Sequence, residues 1–194
     1  MRDLTPTLPY SPTPPLRPAV FLDRDGVLNR DSDDFIKTPD ELELLPGAAE
    51  SVARLNAAGY LCIVITNQSG IARGLFPESA LEPLHDKLRA EMAAGGARID
   101  AIYYCPHGPE DGCDCRKPAT GMVLQAAREH GIDIAASWLV GDRPGDIACG
   151  AATGTRSILV LTGKLHAYNP AQFTAPPDHV CRDIAEAASL ILSS

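Results

Sequence analysis

Five short, almost wholly apolar runs alternate along the chain with five helix-patterned stretches, and this alternation restricts the possible folds to very few. The runs are Ala19 to Leu22, Leu61 to Thr66, Ala101 to Tyr104, Ser137 to Val140 and Ser157 to Leu161. Between and after them, Ala48 to Ala58, Glu78 to Ala94, Gly121 to His130, Gly145 to Ala152 and Asp183 to Leu192 carry apolar side chains at helical spacing. A strand that is apolar at every position must be covered on both faces, and parallel neighbours need a helix to carry the chain back. The pattern therefore predicts an α/β fold: a three-layer α/β/α sandwich around a central parallel sheet. A chain of 194 residues is long enough to bury a substantial core and too short to suggest a second domain.

The fold is assigned to residues 19–194 as a single domain. Residues 1–18 carry Pro6, Pro9, Pro12, Pro14, Pro15 and Pro18 without an apolar core, and read as a disordered or polyproline-like arm with no signal-peptide pattern. No apolar stretch approaches the ~20 residues of a membrane span. The net charge of −8 disfavours nucleic acid and acidic membranes as partners, and leaves a small anionic metabolite open. A cytoplasmic monomer is expected.

In open parallel sheets, ligands sit outside the carboxyl ends of the strands. Here those ends read Asp23-Arg24-Asp25-Gly26, Thr66-Asn67-Gln68-Ser69-Gly70 and Gly141-Asp142-Arg143. Residues i and i+2 of an extended segment point the same way, so Asp23 and Asp25 can converge on one atom. Two such carboxylates call for a bound cation or a shared proton; the alternative is an exposed acidic turn in which Gly26 supplies a positive φ. Asp23 and Asp142 offer hard oxygen ligands suited to Mg2+. Thr66 offers a hydroxyl, Asn67 a backbone amide, and Lys117 in Cys115-Arg116-Lys117-Pro118 a point charge. Acids, donors and a cation in one cleft suggest phosphoryl transfer. Neither Gly-x-x-x-x-Gly-Lys-Ser/Thr nor Gly-x-Gly-x-x-Gly occurs, which makes water the expected acceptor.

Asp23-Arg24-Asp25-Gly26, Thr66-Asn67, Lys117-Pro118 and Gly141-Asp142 with Asp146 resemble, in order and spacing, the four motifs of the haloacid dehalogenase (HAD) superfamily of phosphatases, across residues 19 to 165. The resemblance implies that Asp23 is the nucleophile, forming an aspartyl phosphate, and that Asp25 is the general acid and base. It implies a Mg2+ held by the Asp23 carboxylate, the Asp25 main-chain carbonyl and the Asp142 carboxylate. Thr66 and Lys117 would then stabilise the transferring group, with Asp146 behind the metal. No insertion large enough for the superfamily's cap domain follows the first or second strand, so an open cleft is expected.

Cys105, His107, Cys113 and Cys115 place three thiols and an imidazole within eleven residues, the ligand set of a closed, structural zinc site. A disulfide plus a free thiol is the alternative. The loop over residues 105–115 leads directly into Arg116 and Lys117, so zinc would fix the segment that presents both cations. Cys62, Cys149 and Cys181 read as buried thiols. His85, His130, His166 and His179 lack partner spacing and read as surface or satisfied core histidines.

The zinc loop narrows the resemblance to the branch holding heptose bisphosphate phosphatases and histidinol-phosphate phosphatases. The run from Thr66 to Gly74, and Arg116-Lys117-Pro118 with Gly121-Met122, look like the heptose enzymes. The five-residue spacer between His107 and Cys113, and Arg143, are also at home in the histidinol enzymes. The resemblance favours removal of the 7-phosphate of D-glycero-D-manno-heptose 1,7-bisphosphate, in cell-surface saccharide precursor synthesis, with histidinol phosphate as the alternative. Substrate contacts are expected at Arg24, Asn67, Gln68, Ser69, Arg73 and Arg116. Asp31 and Asp34 would also touch the sugar, although three acids among residues 31–34 depart from the usual mixed polar turn. A nucleic-acid 3′-phosphatase would need a basic groove and stacking aromatics. A non-catalytic zinc-stabilised binding module is opposed by the intact Asp23 and Asp25.

Overall fold

The computed structural model describes residues 15–194. Six strands, β1 (Ala19–Leu22), β2 (Leu61–Asn67), β3 (Ala101–Cys105), β4 (Trp138–Gly141), β5 (Arg156–Val160) and β6 (His179–Cys181), form one parallel sheet in the order β3-β2-β1-β4-β5-β6. Five helices connect or follow them: α1 (Ala48–Ala57), α2 (Leu81–Ala94), α3 (Gly121–His130), α4 (Pro144–Thr153) and α5 (Ile184–Ser193).

The pleat divides the core into two layers. Val20 and Leu22 of β1 join Val64, Trp138 and Ile158 against α1, α2 and α5, whereas Ala19 and Phe21 join Ile63, Ile65 and Leu139 against α3 and α4. Each fully buried Leu or Phe contributes about 1.5–3 kcal/mol, which is why strands as short as β1 and β4 hold the centre of the sheet.

Helix ends follow local chemistry. α4 starts with Pro144, which has no N–H to satisfy, and the Asp146 carboxylate accepts from the Arg143 N–H at 3.0 Å. α3 and α4 stop at Gly131 and Gly154, both left-handed. Asp183 caps α5 by accepting from the Glu186 N–H at 2.9 Å.

The three-layer parallel architecture is the one expected, and no domain-sized insertion interrupts the described chain after β1 or β2. The sequence reading lacked β6, a three-residue edge strand that pairs only with β5 and is too short for any periodicity. A separate 3-10 turn, Glu78–Ala80, precedes α2. Residues 1–14 of the expected arm lie outside the described residues, but its last part is tied to the domain. Arg17 donates to the Gly131 carbonyl and accepts from the Asp133 N–H, both at 2.9 Å. Among the described residues, no helix is long and apolar enough to cross a membrane.

Candidate active site and metal centres

Strand order reverses at β1, because the chain runs outward through β2 and β3 and then returns to β4 on the other side of β1. A crevice forms at such a switch point, at the carboxyl ends of the strands. The register pairs Leu22 with both Val64 and Val140, so Asp23, Thr66 and Asp142 emerge one or two residues beyond a common level. Asp23 and Thr66 border a cleft of about 490 Å³ whose walls also include Asp25, Lys117 and Asp146, while Asp142 is fully buried next to Asp23 and Asp146.

Lys117 organises the floor. Its Nζ donates to Asp23 Oδ1 at 2.9 Å, to Asp146 Oδ1 at 2.7 Å and to the Ile65 carbonyl at 2.7 Å, which uses all three ammonium hydrogens. Burial would lower its pKa, but the Asp146 and Asp23 charges outweigh that and raise it. Asp23 Oδ1 also accepts from the Arg24 backbone N–H at 2.8 Å. Burial lifts the Asp23 carboxyl to about 6, against the pull of Lys117.

Asp25 is held differently. Arg24 clasps its carboxylate through Nε and Nη2 at 2.9–3.1 Å, and Asn29 Nδ2 and Gln68 Nε2 each donate to it at 2.9 Å. Burial pushes this carboxyl up, yet the Arg24 charge and the three donors more than cancel that effect and leave it below its ordinary value. Two carboxylates two residues apart thus have opposite tendencies.

Asp23, Asp142 and Asp146 bring carboxylate oxygens within 4.8 Å of one another. Asp142 is fully buried, and its Oδ1 has no hydrogen-bond partner. Burial first, then the charges of Asp23 and Asp146, raise its carboxyl to about 8. The backbone closes tightly around it. A Cβ at Gly163 would lie 1.8 Å from Asp142 Oδ2, and one at Gly26, which has φ +83°, would lie 2.7 Å away. An orphaned carboxylate oxygen in an all-oxygen donor set fits a hard divalent cation.

The second cluster is soft. The sulfurs of Cys105, Cys113 and Cys115 lie 3.0–3.6 Å apart, and His107 Nδ1 is 3.6 Å from Cys105 and 3.3 Å from Cys115. Ligand bonds of ~2.3 Å to sulfur and ~2.0–2.1 Å to nitrogen imply tetrahedral edges of about 3.6–3.8 Å, so a slight expansion would admit Zn2+. None of the six cysteines is in a disulfide, and Cys62, Cys149 and Cys181 are buried. Arg116 Nη1 donates to the His107 carbonyl at 3.3 Å, which links the cluster to the cleft wall.

Not every expected substrate residue reaches the cleft. Ser69, Arg73, Arg116 and Asp31 line it. Arg24 does not: the alternation that turns Asp23 and Asp25 to the cleft buries Arg24 completely, and its guanidinium is spent on Asp25. Gln68 is buried too, donating to Asp25 and, at 2.8 Å, to Thr66 Oγ1. Asn67 borders the cleft, but its side chain bonds the Lys117 backbone. Asp34 is exposed, and Asp33 takes the place expected for it at the cleft.

Lys164 and Phe35, which carry no motif, join Arg143 at the mouth. Arg143 Nη2 lies 2.7 Å from Asp31 Oδ2, and Lys164 pairs with Asp33. Phe35, at φ 64°, packs its ring 6.1 Å from Phe76 and beneath the Arg73 guanidinium. Lys164 follows β5 in a loop of no recognisable pattern, so only the folded chain reveals it.

A HAD-hydrolase-like family profile matches residues 114–187. A D-glycero-β-D-manno-heptose-1,7-bisphosphate 7-phosphatase of Pseudomonas aeruginosa is 49% identical over 148 residues, 76% of this chain and 83% of that protein. Its counterpart from Bordetella bronchiseptica is 43% identical over 173 residues, 89% of this chain and 97% of the relative. The crystal structure of D,D-heptose 1,7-bisphosphate phosphatase from B. bronchiseptica, complexed with magnesium and phosphate, matches with a TM-score of 0.84 and 44% identity. That match covers 91% of this chain and 98% of the other.

Proposed function

The chain belongs to the HAD-type phosphatases, within the family of heptose-1,7-bisphosphate 7-phosphatases, and on that premise we propose that it hydrolyses the 7-phosphate ester of D-glycero-D-manno-heptose 1,7-bisphosphate. The observation that carries the substrate assignment is the charge layout of the cleft. Lys117 serves the floor, while Arg73 and Arg116 line the cleft with no ion-pair partner among the described residues, two cations beyond what a single phosphate on Lys117 needs.

In this reading an Asp23 carboxylate oxygen attacks phosphorus in line, and the bond from phosphorus to the sugar oxygen breaks. Asp25 gives a proton to the departing alkoxide. Asp25 then takes a proton from water, whose oxygen attacks the aspartyl phosphate and releases inorganic phosphate and the free Asp23 carboxylate. As it stands, Asp25 is set for the second half, because its donors favour the ionised form. The approach of the substrate phosphate raises its proton affinity for the first. Lys117 fixes the Asp23 carboxylate and, with the Thr66 hydroxyl, meets the charge on the transferring group. Ser69 and the Asn67 main-chain amide supply neutral donors beside them.

Asp23 and Asp142, with the Asp25 main-chain carbonyl, would hold Mg2+, and Asp146 stands behind it on Lys117. When bound, the ion supplies charge that lets an anionic nucleophile approach an anionic ester. Zn2+ on Cys105, His107, Cys113 and Cys115 is structural in this reading. The enzyme works as a cytoplasmic monomer on a small phosphorylated metabolite, not on nucleic acid, in cell-surface saccharide precursor synthesis.

Histidinol phosphate is the competing substrate, since Asp31 and Asp33 at the mouth would suit its ammonium group. Those acids are already neutralised by Arg143 and Lys164, which favours the bisphosphate. Comparing kcat/KM in Mg2+ for heptose bisphosphate, histidinol phosphate and a generic aryl phosphate tests the reading. The bisphosphate is expected to lead. A preference for histidinol phosphate overturns the substrate, and no turnover of any ester overturns the activity.

A further inference from the structure

Two buried polar atoms have no use in the mechanism above, and they lie on the same side of the sheet. Arg24 Nη1 has no acceptor and His85 Nε2 has no partner, although the residues are 0% and 6% exposed. His85 was expected to be a surface or satisfied core histidine; it is in the core and unsatisfied.

Arg24 continues the parity of Val20 and Leu22, whose side chains enter the layer beneath α1, α2 and α5. His85 belongs to the buried face of α2 with Leu84 and Leu88. Its ring packs 5.9 Å from that of Tyr104, and Tyr104 is the register partner of Thr66 at the cleft floor. Burial, and then the nearby Arg24 charge, hold the imidazole down to about 4, so it is neutral with one nitrogen free to accept. The guanidinium spends Nε and Nη2 on Asp25, leaving Nη1 as the donor that lacks a partner. An unmade bond on a buried charged group is among the costlier defects of a folded protein.

We propose that His85 is a positioning residue for the proton-transferring carboxylate: one water bridges the two unpartnered atoms, taking a hydrogen bond from Arg24 Nη1 and giving one to His85 Nε2, and so fixes the guanidinium that holds Asp25. The relay His85–Arg24–Asp25 runs from the helix layer to the strand end, and it makes the orientation of the acid depend on a side chain that never touches substrate. The proposal rests on the acid and base role given above to Asp25.

The test uses the leaving group. An alkoxide leaves poorly without a proton, whereas nitrophenolate needs little help, so a displaced acid slows sugar phosphates selectively. His85→Leu and His85→Asn both remove an acceptor at the Nε2 position, while Gln carries its amide oxygen about as far out as Nε2. kcat/KM, which reports the first phosphoryl transfer, is measured for a sugar phosphate and for p-nitrophenyl phosphate. His85→Asn and, where it folds, His85→Leu are expected to lose about tenfold or more on the sugar ester and less than about threefold on the aryl ester. His85→Gln is expected to recover most of the loss. Equal losses on both esters, no loss on either, or a Gln variant no better than Asn at matched Tm overturns the relay. A wild-type enzyme that cleaves sugar monophosphates but rejects the heptose bisphosphate overturns the substrate reading and leaves this test intact.

Discussion

The side-chain amide of Asn67 closes a ring on the backbone of Lys117, with Nδ2 donating to the Lys117 carbonyl and Oδ1 accepting from its N–H, both at 3.0 Å. This clamp joins the end of β2 to the loop after the cysteine cluster, and it places an ammonium whose three bonds organise Asp23 and Asp146. Asn67→Ala deletes two part-buried hydrogen bonds, a loss of about 1–3 kcal/mol. The expected result is a Tm lower by several degrees and a kcat reduced about 10–100-fold, since a small displacement of Lys117 misaligns the floor. Wild-type kcat in this variant would show that the ion pairs alone place Lys117.

Asp23→Asn keeps the shape of the side chain and removes its nucleophilicity. Turnover is expected to fall by on the order of 10³-fold or more, with the circular dichroism spectrum unchanged. Full activity in this variant rules out the covalent route.

Gly163→Ala probes the close approach that shapes the oxygen cluster. A methyl group there would overlap Asp142 Oδ2 at 1.8 Å, and the obstacle is a carboxylate sealed in the core rather than the tip of a flexible chain. Displacement of Asp142 is expected to weaken Mg2+ binding by at least about tenfold in calorimetric titration, while the zinc content stays constant. Unchanged Mg2+ affinity would remove Asp142 from the metal site.

Chelation tests the soft cluster. Metal analysis is expected to find one zinc per chain. Its removal, or Cys113→Ser, is expected to increase amide hydrogen exchange across residues 105–117 and to lower kcat in a way that added Mg2+ does not restore. If exchange and activity both survive the loss of zinc, the cluster does not position Arg116 and Lys117.

Asp23 and Asp142 define a pH dependence with a clear sign. Their folded values of about 6 and about 8 exceed the 3.8 of an ordinary aspartate, so between pH ~4 and ~8 the metal-free native state binds more protons than the unfolded chain. These two groups therefore make the metal-free protein less stable as pH rises through that window. Mg2+ must displace the protons, so its stabilising effect grows in the same direction. Thermal melts at pH 5.5 and pH 8 are expected to show the larger Mg2+-induced rise in Tm at pH 8. An equal or larger rise at pH 5.5 contradicts the assignment.

The strands that carry the site were legible because each is a contiguous apolar run ending in polar residues, as at Phe21-Leu22-Asp23. The soft cluster was legible because its four ligands are near neighbours in sequence. Edge strand β6 was not, since three residues carry no periodicity. The substrate side of the cleft was read less well. Arg24 and Gln68 look like ligand contacts in a motif, yet both face inward and hold Asp25, whereas Lys164 meets Asp33 across the long separation from the loop after β5.

By itself the order of residues determined the parallel α/β architecture and the grouping of carboxylates, thiols and cations at the strand ends. Both follow from local rules: apolar periodicity selects the element, and the end of a strand exposes whatever follows it. Only the tertiary structure decided which polar residues meet the cleft, which support others from behind, and which carboxyls rise or fall in proton affinity. Those properties depend on burial and on neighbours brought together from distant segments, as when Gly163 closes over Asp142 or α2 sets His85 in the layer that receives Arg24.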